Sequence, residues 1–266
     1  HPFRIGEQDV RITCTVGVVG VSGVYSSLEE IISAVAEAHG VGKSRGGNAV
    51  YLRESTDVDT RLRKFDEIWV ELIQAALAEN RFRLAQMPIA GLRNDTNKMY
   101  DMLVRIIDEQ GNAILPSEFL PAAERNNLMK TIDRWIVTSS IEFCKEQSAD
   151  KVFIRLSRQS IQDGSLVEWM KSEFAKYDLD PAYLCVQVPE KDAAMYIKET
   201  KKKADELRNA GFEFALEHYG VGKNRLQILD ILKPNYIKID GELMHTLMTD
   251  TAIQESVRSL ASAASQ

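Results

Sequence analysis

Hydrophobic positions change their spacing along the chain, and from residue 80 short apolar runs alternate with longer amphipathic stretches. The apolar runs predict six strands, at 82–89, 100–107, 151–156, 183–188, 213–219 and 236–239. The amphipathic stretches predict helices at 125–146, 162–174, 192–210, 223–232 and 251–264. Repeated strand–helix units are typical of a parallel sheet covered by helices, and a barrel is one way to close such a sheet. A barrel of eight strands needs two more units, so we expect its C-terminal units to lie outside this sequence.

The first 55 residues predict a helix between two strands. Alternation over 10–20 predicts the first strand, and residues 49–52 predict the second. Ser27 followed by Glu30 is a capping-box pattern, and the helix that it starts is expected to end at Gly40. Residues 56–80 contain neither Gly nor Pro and place apolar residues at helical spacing, which predicts a connecting helix.

Composition narrows the class of protein. The formal net charge of −6 argues against a duplex-DNA-binding protein, which needs a basic face to neutralise phosphates. No run of about 18 apolar residues occurs, so no membrane span is expected. The three cysteines, Cys14, Cys144 and Cys185, lack metal-ligand spacing and are typical of free thiols in a reducing compartment. These features predict a cytoplasmic protein.

Several segments of the C-terminal part, in order and at preserved spacing, carry a family resemblance. They are FRLAQMPI at 82–89, DMLVR at 101–105, GNAILPSEFLPAAE at 111–124, IDRW at 132–135, IRLS at 154–157, QVPE at 187–190, EHYGVG at 217–222 and KID at 238–240. Together they resemble the EAL domain, the fold of cyclic di-GMP phosphodiesterases. The resemblance implies an α/β fold, an EAL-type (β/α) barrel similar to a TIM barrel, over residues 80–266.

The residues at the expected catalytic positions depart from the family pattern. In active members, the resemblance implies two divalent cations held by carboxylates and an Asn, and a Lys that assists. The positions here are occupied by Asp101, Arg155, Gln187, Glu217 and His218, with Lys238 and Glu190 retained. Arg is a permanent cation and Gln a neutral, weaker ligand, whereas paired hard cations need several oxygen ligands. We therefore expect no metal, no cofactor and a protein that is not an enzyme.

Binding of cyclic di-GMP is a separate expectation. The guanidinium of Arg105 can grip a phosphate through paired hydrogen bonds, and Arg155 and Arg158 add positive charge at a strand end. Met87 stands where the family often has Gln, which argues against binding. The expected ligand contacts are Met87, Leu103, Arg105, Pro116, Ser117, Arg155 and Arg158. Three functions stay open: a cyclic di-GMP effector, a nucleotide-independent protein-interaction scaffold and, least favoured, an active phosphodiesterase.

The upstream segment carries a second resemblance. Residues 13–18, the helix after Ser27 and residues 43–48 resemble the C-terminal third of a GGDEF domain, which has an α+β fold. The expected organisation is a GGDEF remnant at 1–55, a linker helix at 56–79 and a degenerate EAL domain, incomplete at its C-terminus, at 80–266. Residues 80–126 are most similar to the FimX type of these tandem proteins. That resemblance implies a role in type IV pilus assembly and twitching motility, with a PilZ-domain or other pilus regulatory protein as partner.

Overall fold

The computed structural model describes residues 3–5, 8–10, 13–21, 27–44, 46–52, 56–91, 97–222, 225–245 and 247–264. The chain forms two compact units, His1–Glu71 and Leu72–Gln266. The predicted helix at 56–80 is confirmed as α2 (Thr56–Ala78), which contributes residues to both units.

The first unit contains two small sheets and one helix. Strands β1 (Phe3–Ile5) and β2 (Gln8–Val10) pair antiparallel, and β3 (Val16–Val18) and β4 (Val50–Leu52) pair parallel. Helix α1 (Leu28–Ser44) connects β3 to β4, and its first turn is capped as predicted, because the Glu30 amide donates to the Ser27 hydroxyl at 3.2 Å. A Cβ at Gly17 would lie 2.5 Å from the backbone nitrogen of His39, so only glycine lets β3 approach α1 this closely.

Two predictions for this unit are wrong in their bounds. Helix α1 continues past Gly40 to Ser44. A Cβ at Gly42 would lie 3.0 Å from Cγ2 of Thr15 and 3.2 Å from Cβ of Tyr51, so this glycine allows close packing inside the helix and does not mark its end. The single strand predicted over 10–20 is not found, since residues 13–15 are not in a strand and only Val16–Val18 pair with β4. Residues 11 and 12 lie outside the described residues.

The second unit is built on one large sheet. Its strands are β5 (Phe82–Ile89), β6 (Met99–Ile107), β7 (Ala113–Ile114), β8 (Lys151–Arg155), β9 (Leu184–Pro189), β10 (Glu213–Tyr219) and β11 (Tyr236–Ile239). All six predicted strands are confirmed, in the order β11-β10-β9-β8-β6-β5, with β7 beside β6. Strands β6, β8, β9, β10 and β11 run parallel, whereas β5 and β7 pair antiparallel with β6. Among the described residues this path stays open from β5 to β11 and no closed barrel is detected; the barrel, with its last units expected outside this sequence, stays a prediction.

The helices of this unit follow the strands. They are α3 (Pro116–Arg125), α4 (Met129–Gln147), α5 (Arg158–Ile161), α6 (Leu166–Lys176), α7 (Glu190–Met195), α8 (Ile197–Asn209), α9 (Arg225–Leu232), α10 (Gly241–His245) and α11 (Thr251–Ala264), with a 3-10 turn at Pro181–Tyr183. The helix predicted over 125–146 is confirmed as α4 but begins later, at Met129, because the backbone at Asn127 turns left-handed with φ 57°. The helix predicted over 192–210 is divided, at Tyr196 between α7 and α8.

Aromatic side chains and buried strands form the core of this unit. Phe82 at the start of β5 packs against Phe119 and Trp135, with ring centroids 6.0 and 5.2 Å away. Strand β9 is buried at every position except Pro189, as expected for a parallel strand covered on both faces. In the part of the chain that the structure describes, no helix is both long and apolar enough to cross a bilayer.

Candidate functional site

A cavity of about 310 Å³ opens where the parallel strands point their carboxyl ends. Ligands in open parallel sheets bind at this edge, because the loops and side chains that leave the strands converge there. Strands β6, β8, β9, β10 and β11 all contribute side chains, which include Asp101, Leu103, Arg155, Gln187, Glu217, His218 and Lys238. The volume lies within the range of small-molecule sites.

Three of the predicted positions form one hydrogen-bonded group in this cavity. Gln187 donates its amide to Oδ1 of Asp101 at 2.6 Å, and Lys238 donates to Oδ2 of the same carboxylate at 2.5 Å. The Lys238 ammonium also contacts Oε1 of Gln187 at 3.1 Å. Asp101 and Gln187 are buried, so the ammonium compensates a carboxylate that has left water. Both oxygens of Asp101 therefore already accept hydrogen bonds.

A second group of side chains joins the ends of β8, β10 and β11. Nε of Arg155 forms an ion pair with Oε1 of the buried Glu217, and Nη2 of Arg155 lies 3.2 Å from Nε2 of His218. A guanidinium has no acceptor, so Nε2 of His218 is the acceptor and the ring proton is on Nδ1. That nitrogen lies 3.0 Å from Oδ2 of Asp240 and donates to it. The backbone amide of Glu242, followed by His218, holds the pKa of Asp240 below its usual value.

The cavity also contains a hydrogen-bonded pair, Asp133 and Ser157, whose role at the site was not predicted from the sequence. Asp133 on α4 accepts from the amide of Ser157 at 2.9 Å and from its hydroxyl at 2.5 Å. Burial raises the pKa of Asp133, although these hydrogen bonds oppose the shift. Both residues line the cavity. Both residues belong to segments that carry the family resemblance, IDRW at 132–135 and IRLS at 154–157, and this could have marked them as site residues. Their contact depends on the tertiary fold, which brings α4 beside the end of β8.

Glu190 lies beneath the loop that follows β10. Its Oε2 accepts from the amides of Gly220 and Gly222 at 2.9 and 3.1 Å, and the residue is buried. Its Oε1 has no hydrogen-bond partner among the described residues and would lie 2.6 Å from a Cβ at Gly222. The retained glutamate therefore positions this loop, at the edge of the cavity that Glu217 and His218 line.

The structure brings only some of the expected ligand contacts to the cavity. Leu103, Pro116 and Arg155 line it, whereas Met87, Arg105, Ser117 and Arg158 do not. Arg105 donates Nη1 to the carbonyl of Val104 at 2.8 Å. The Arg158 guanidinium lies 3.7 Å over the ring of Tyr196, and both residues line a separate cavity of about 30 Å³. Met87 is exposed on β5, and Ser117 is the second residue of α3. The ligand contacts of all seven residues stay predictions.

The described residues do not fit a preformed two-metal site. Among them, no group of three or more His, Cys, Asp or Glu side chains could hold a metal ion. Asp101 is bonded to Gln187 and Lys238, and Glu217 is paired with Arg155. Cationic side chains thus lie beside both carboxylates. The expectation that the chain binds no metal stays a prediction.

Residues 70–266 match the family described as EAL domain, and the chain belongs to that family. The curated relatives include the cyclic di-GMP phosphodiesterases PdeB of Shewanella oneidensis, 25% identical over 93% of this chain, and PdeF of Escherichia coli, 27% identical over 71%. The chain spans 30% of the length of PdeB and 25% of that of PdeF.

Solved structures give the same fold. The FimX EAL domain from Pseudomonas aeruginosa bound to c-di-GMP is 33% identical, with a TM-score of 0.69 over 73% of this chain and 79% of that one. The S helix-GGDEF-EAL part of Vibrio cholerae LapD has a TM-score of 0.66 at 20% identity, over 94% of this chain and 60% of that one. The expected EAL fold with FimX similarity is confirmed.

The expectation that the chain is not an enzyme is wrong on these comparisons. It relied on residue types at the metal positions, but PdeB and PdeF are both named phosphodiesterases and match the chain over most of its length. Residue types at these positions did not by themselves justify excluding an activity for which both of these relatives are named. The assignment of an inactive protein is withdrawn.

Proposed function

We propose that this chain binds cyclic di-GMP in the cavity at the carboxyl edge of the sheet. The observation that carries the proposal is the convergence of Arg155 and Lys238 on a cavity with apolar walls, which suits a ligand with two phosphodiesters and two flat bases. The 33% identical FimX EAL domain, solved with c-di-GMP bound, supports the same ligand. Binding needs no cofactor in this proposal.

Calorimetric titration with cyclic di-GMP tests the proposal, with GTP as the comparison ligand. We expect saturable heat for cyclic di-GMP alone. Leu103→Trp should weaken binding because it adds bulk to the cavity wall, while Leu226→Trp, at an exposed position of α9 outside the cavity, should not. If high ligand concentrations give neither heat nor a thermal shift, the chain does not bind cyclic di-GMP.

Hydrolysis of cyclic di-GMP is the second candidate function. It is favoured by the names of PdeB and PdeF, both cyclic di-GMP phosphodiesterases. Incubation with cyclic di-GMP and Mg²⁺ or Mn²⁺, followed by chromatography, tests it directly. A linear dinucleotide product would support hydrolysis, whereas unchanged ligand would leave binding as the function.

The cellular role in this proposal is regulation of type IV pilus assembly and twitching motility from the cytoplasm, through a PilZ-type partner. The sequence similarity to the FimX type supports it. Co-purification with a PilZ-domain protein, with and without cyclic di-GMP, tests the partner. A nucleotide-independent scaffold instead predicts equal capture in both conditions and no effect of Arg105→Ala.

The proposed organisation is a GGDEF remnant at 1–55, a linker helix at 56–79 and the EAL domain at 80–266. The likeness in fold to LapD, which extends over 94% of the chain, supports it. Limited proteolysis followed by mass spectrometry tests the boundaries. Preferred cleavage between 56 and 79 would support the proposed division, and cleavage inside the sheet of the second unit would contradict it.

A further inference from the structure

Two protein cations lie beside the carboxylates at which the family resemblance places metal ions. Lys238 donates to Asp101, and Arg155 is paired with Glu217. A cyclic dinucleotide carries two negative phosphodiesters, and a cavity that also contains carboxylates needs compensating positive charge to bind it. In this chain the charge is supplied by side chains bonded in place.

Arg155 retains hydrogen-bonding capacity for a ligand. Its Nε is ion-paired with Glu217 and its Nη2 lies 3.2 Å from Nε2 of His218, so these two contacts use only part of its five N–H groups. The side chain is 53% exposed and lines the cavity, so water or a ligand can reach it. A guanidinium offers five N–H donors in a fixed plane that matches phosphate oxygens.

The neighbours of Arg155 hold this plane in one orientation. Glu217 is buried and ion-paired with Nε, and His218 accepts from Nη2, with its own ring oriented by Asp240. A guanidinium oriented in this way loses less conformational entropy when it binds an anion, because two neighbours already restrict its rotamers. Exposed arginines elsewhere, such as Arg134, lack a buried carboxylate partner of this kind.

We propose that Arg155, together with Lys238, binds a phosphodiester of the ligand directly and takes the place of the metal ions, so that cyclic di-GMP binds without a divalent cation. This inference rests on the proposed function and names the groups that carry it out. The described residues do not fit two metal ions, whereas Arg155 and Lys238 both line the cavity and carry positive charge.

The test is calorimetric titration of the full chain with cyclic di-GMP, after dialysis against EDTA and again with Mg²⁺ added. We expect the same affinity in both conditions. Arg155→Gln should weaken binding ~10- to 100-fold, the loss expected when a charge-assisted hydrogen bond is removed. Arg134→Ala serves as the matched control, because that arginine lies over Trp169 and away from the cavity.

Each outcome separates the two proposals. Binding that requires the added metal, or full affinity in Arg155→Gln, would overturn the inference while the proposed function stands. No binding in either condition would refute the proposed function itself. If Arg155→Gln unfolds because it leaves Glu217 buried without its cation, the double variant Arg155→Gln with Glu217→Gln removes both charges and should show the same loss of affinity.

Discussion

The contact between Glu190 and the loop after β10 allows a quantitative prediction. Glu190→Ala removes a buried acceptor shared by the amides of Gly220 and Gly222. Hydrogen bonds to a charged group contribute about 1.5–3 kcal/mol each, and part of this is recovered when water reaches the loop. We therefore expect the free energy of unfolding of the second unit to fall by about 2–4 kcal/mol.

Urea unfolding and hydrogen exchange measure this effect. Glu190→Gln keeps an acceptor and should lose about 1 kcal/mol, because the hydrogen bonds remain but lose their charge assistance. Glu168→Ala is the control, since its side chain is 78% exposed and its pair with Lys171 contributes less than about 0.5 kcal/mol. Exchange protection at Gly220 and Gly222 should fall only in Glu190→Ala. A loss equal to that of the control, with protection unchanged, would refute the assignment of Glu190 as the residue that positions the loop.

Three further predictions concern the second unit and the thiols. Burial raises the pKa of Asp133 above its usual 3.8. The wild type should therefore lose stability relative to Asp133→Asn as the pH rises from 3.8 through the folded-state pKa, because the buried carboxyl group must then lose its proton. Urea unfolding at several pH values measures this, and a difference in urea midpoint that is the same at every pH would contradict it. Phe82→Ala should cost about 3–5 kcal/mol in urea unfolding, because a fully buried ring is removed from an aromatic cluster, and a loss below about 1 kcal/mol would show that the core repacks. Ellman's reagent should label Cys14 in the native protein, whereas Cys144 and Cys185 should react only after unfolding. Both of these thiols are buried, and burial raises the pKa of Cys144 to about 12. Equal reaction rates for all three thiols would contradict their burial.

Local sequence patterns predicted the strands well and the division of helices less well. The strand at 213–219 is apolar throughout its centre, and its bounds match β10. Helix periodicity continues across Asn127 and Tyr196, where the backbone leaves the helix. The antiparallel pairing of β5 with β6 was not predicted, because the spacing of apolar residues indicates a strand but not its direction.

The sequence predicted the residues on the strands of the site better than the arginines expected to bind the ligand. Asp101, Gln187 and Lys238 lie on β6, β9 and β11, parallel strands of one sheet that β8 and β10 separate, and the family resemblance had already assigned all three to one site. Arg105 and Arg158 were chosen for their charge, yet one donates to a neighbouring carbonyl and the other lies over Tyr196. Side-chain direction after a strand end depends on the local backbone and on aromatic neighbours, which spacing does not describe.

A crystal structure of the chain grown with cyclic di-GMP in the presence of EDTA would show whether the cavity binds the nucleotide through the protein's own cations. We expect a phosphodiester oxygen within hydrogen-bonding distance of the Arg155 guanidinium, with the Arg155–Glu217 pair intact. A ligand located elsewhere on the chain, or a phosphodiester in the cavity that Arg155 and Lys238 do not contact, would contradict it.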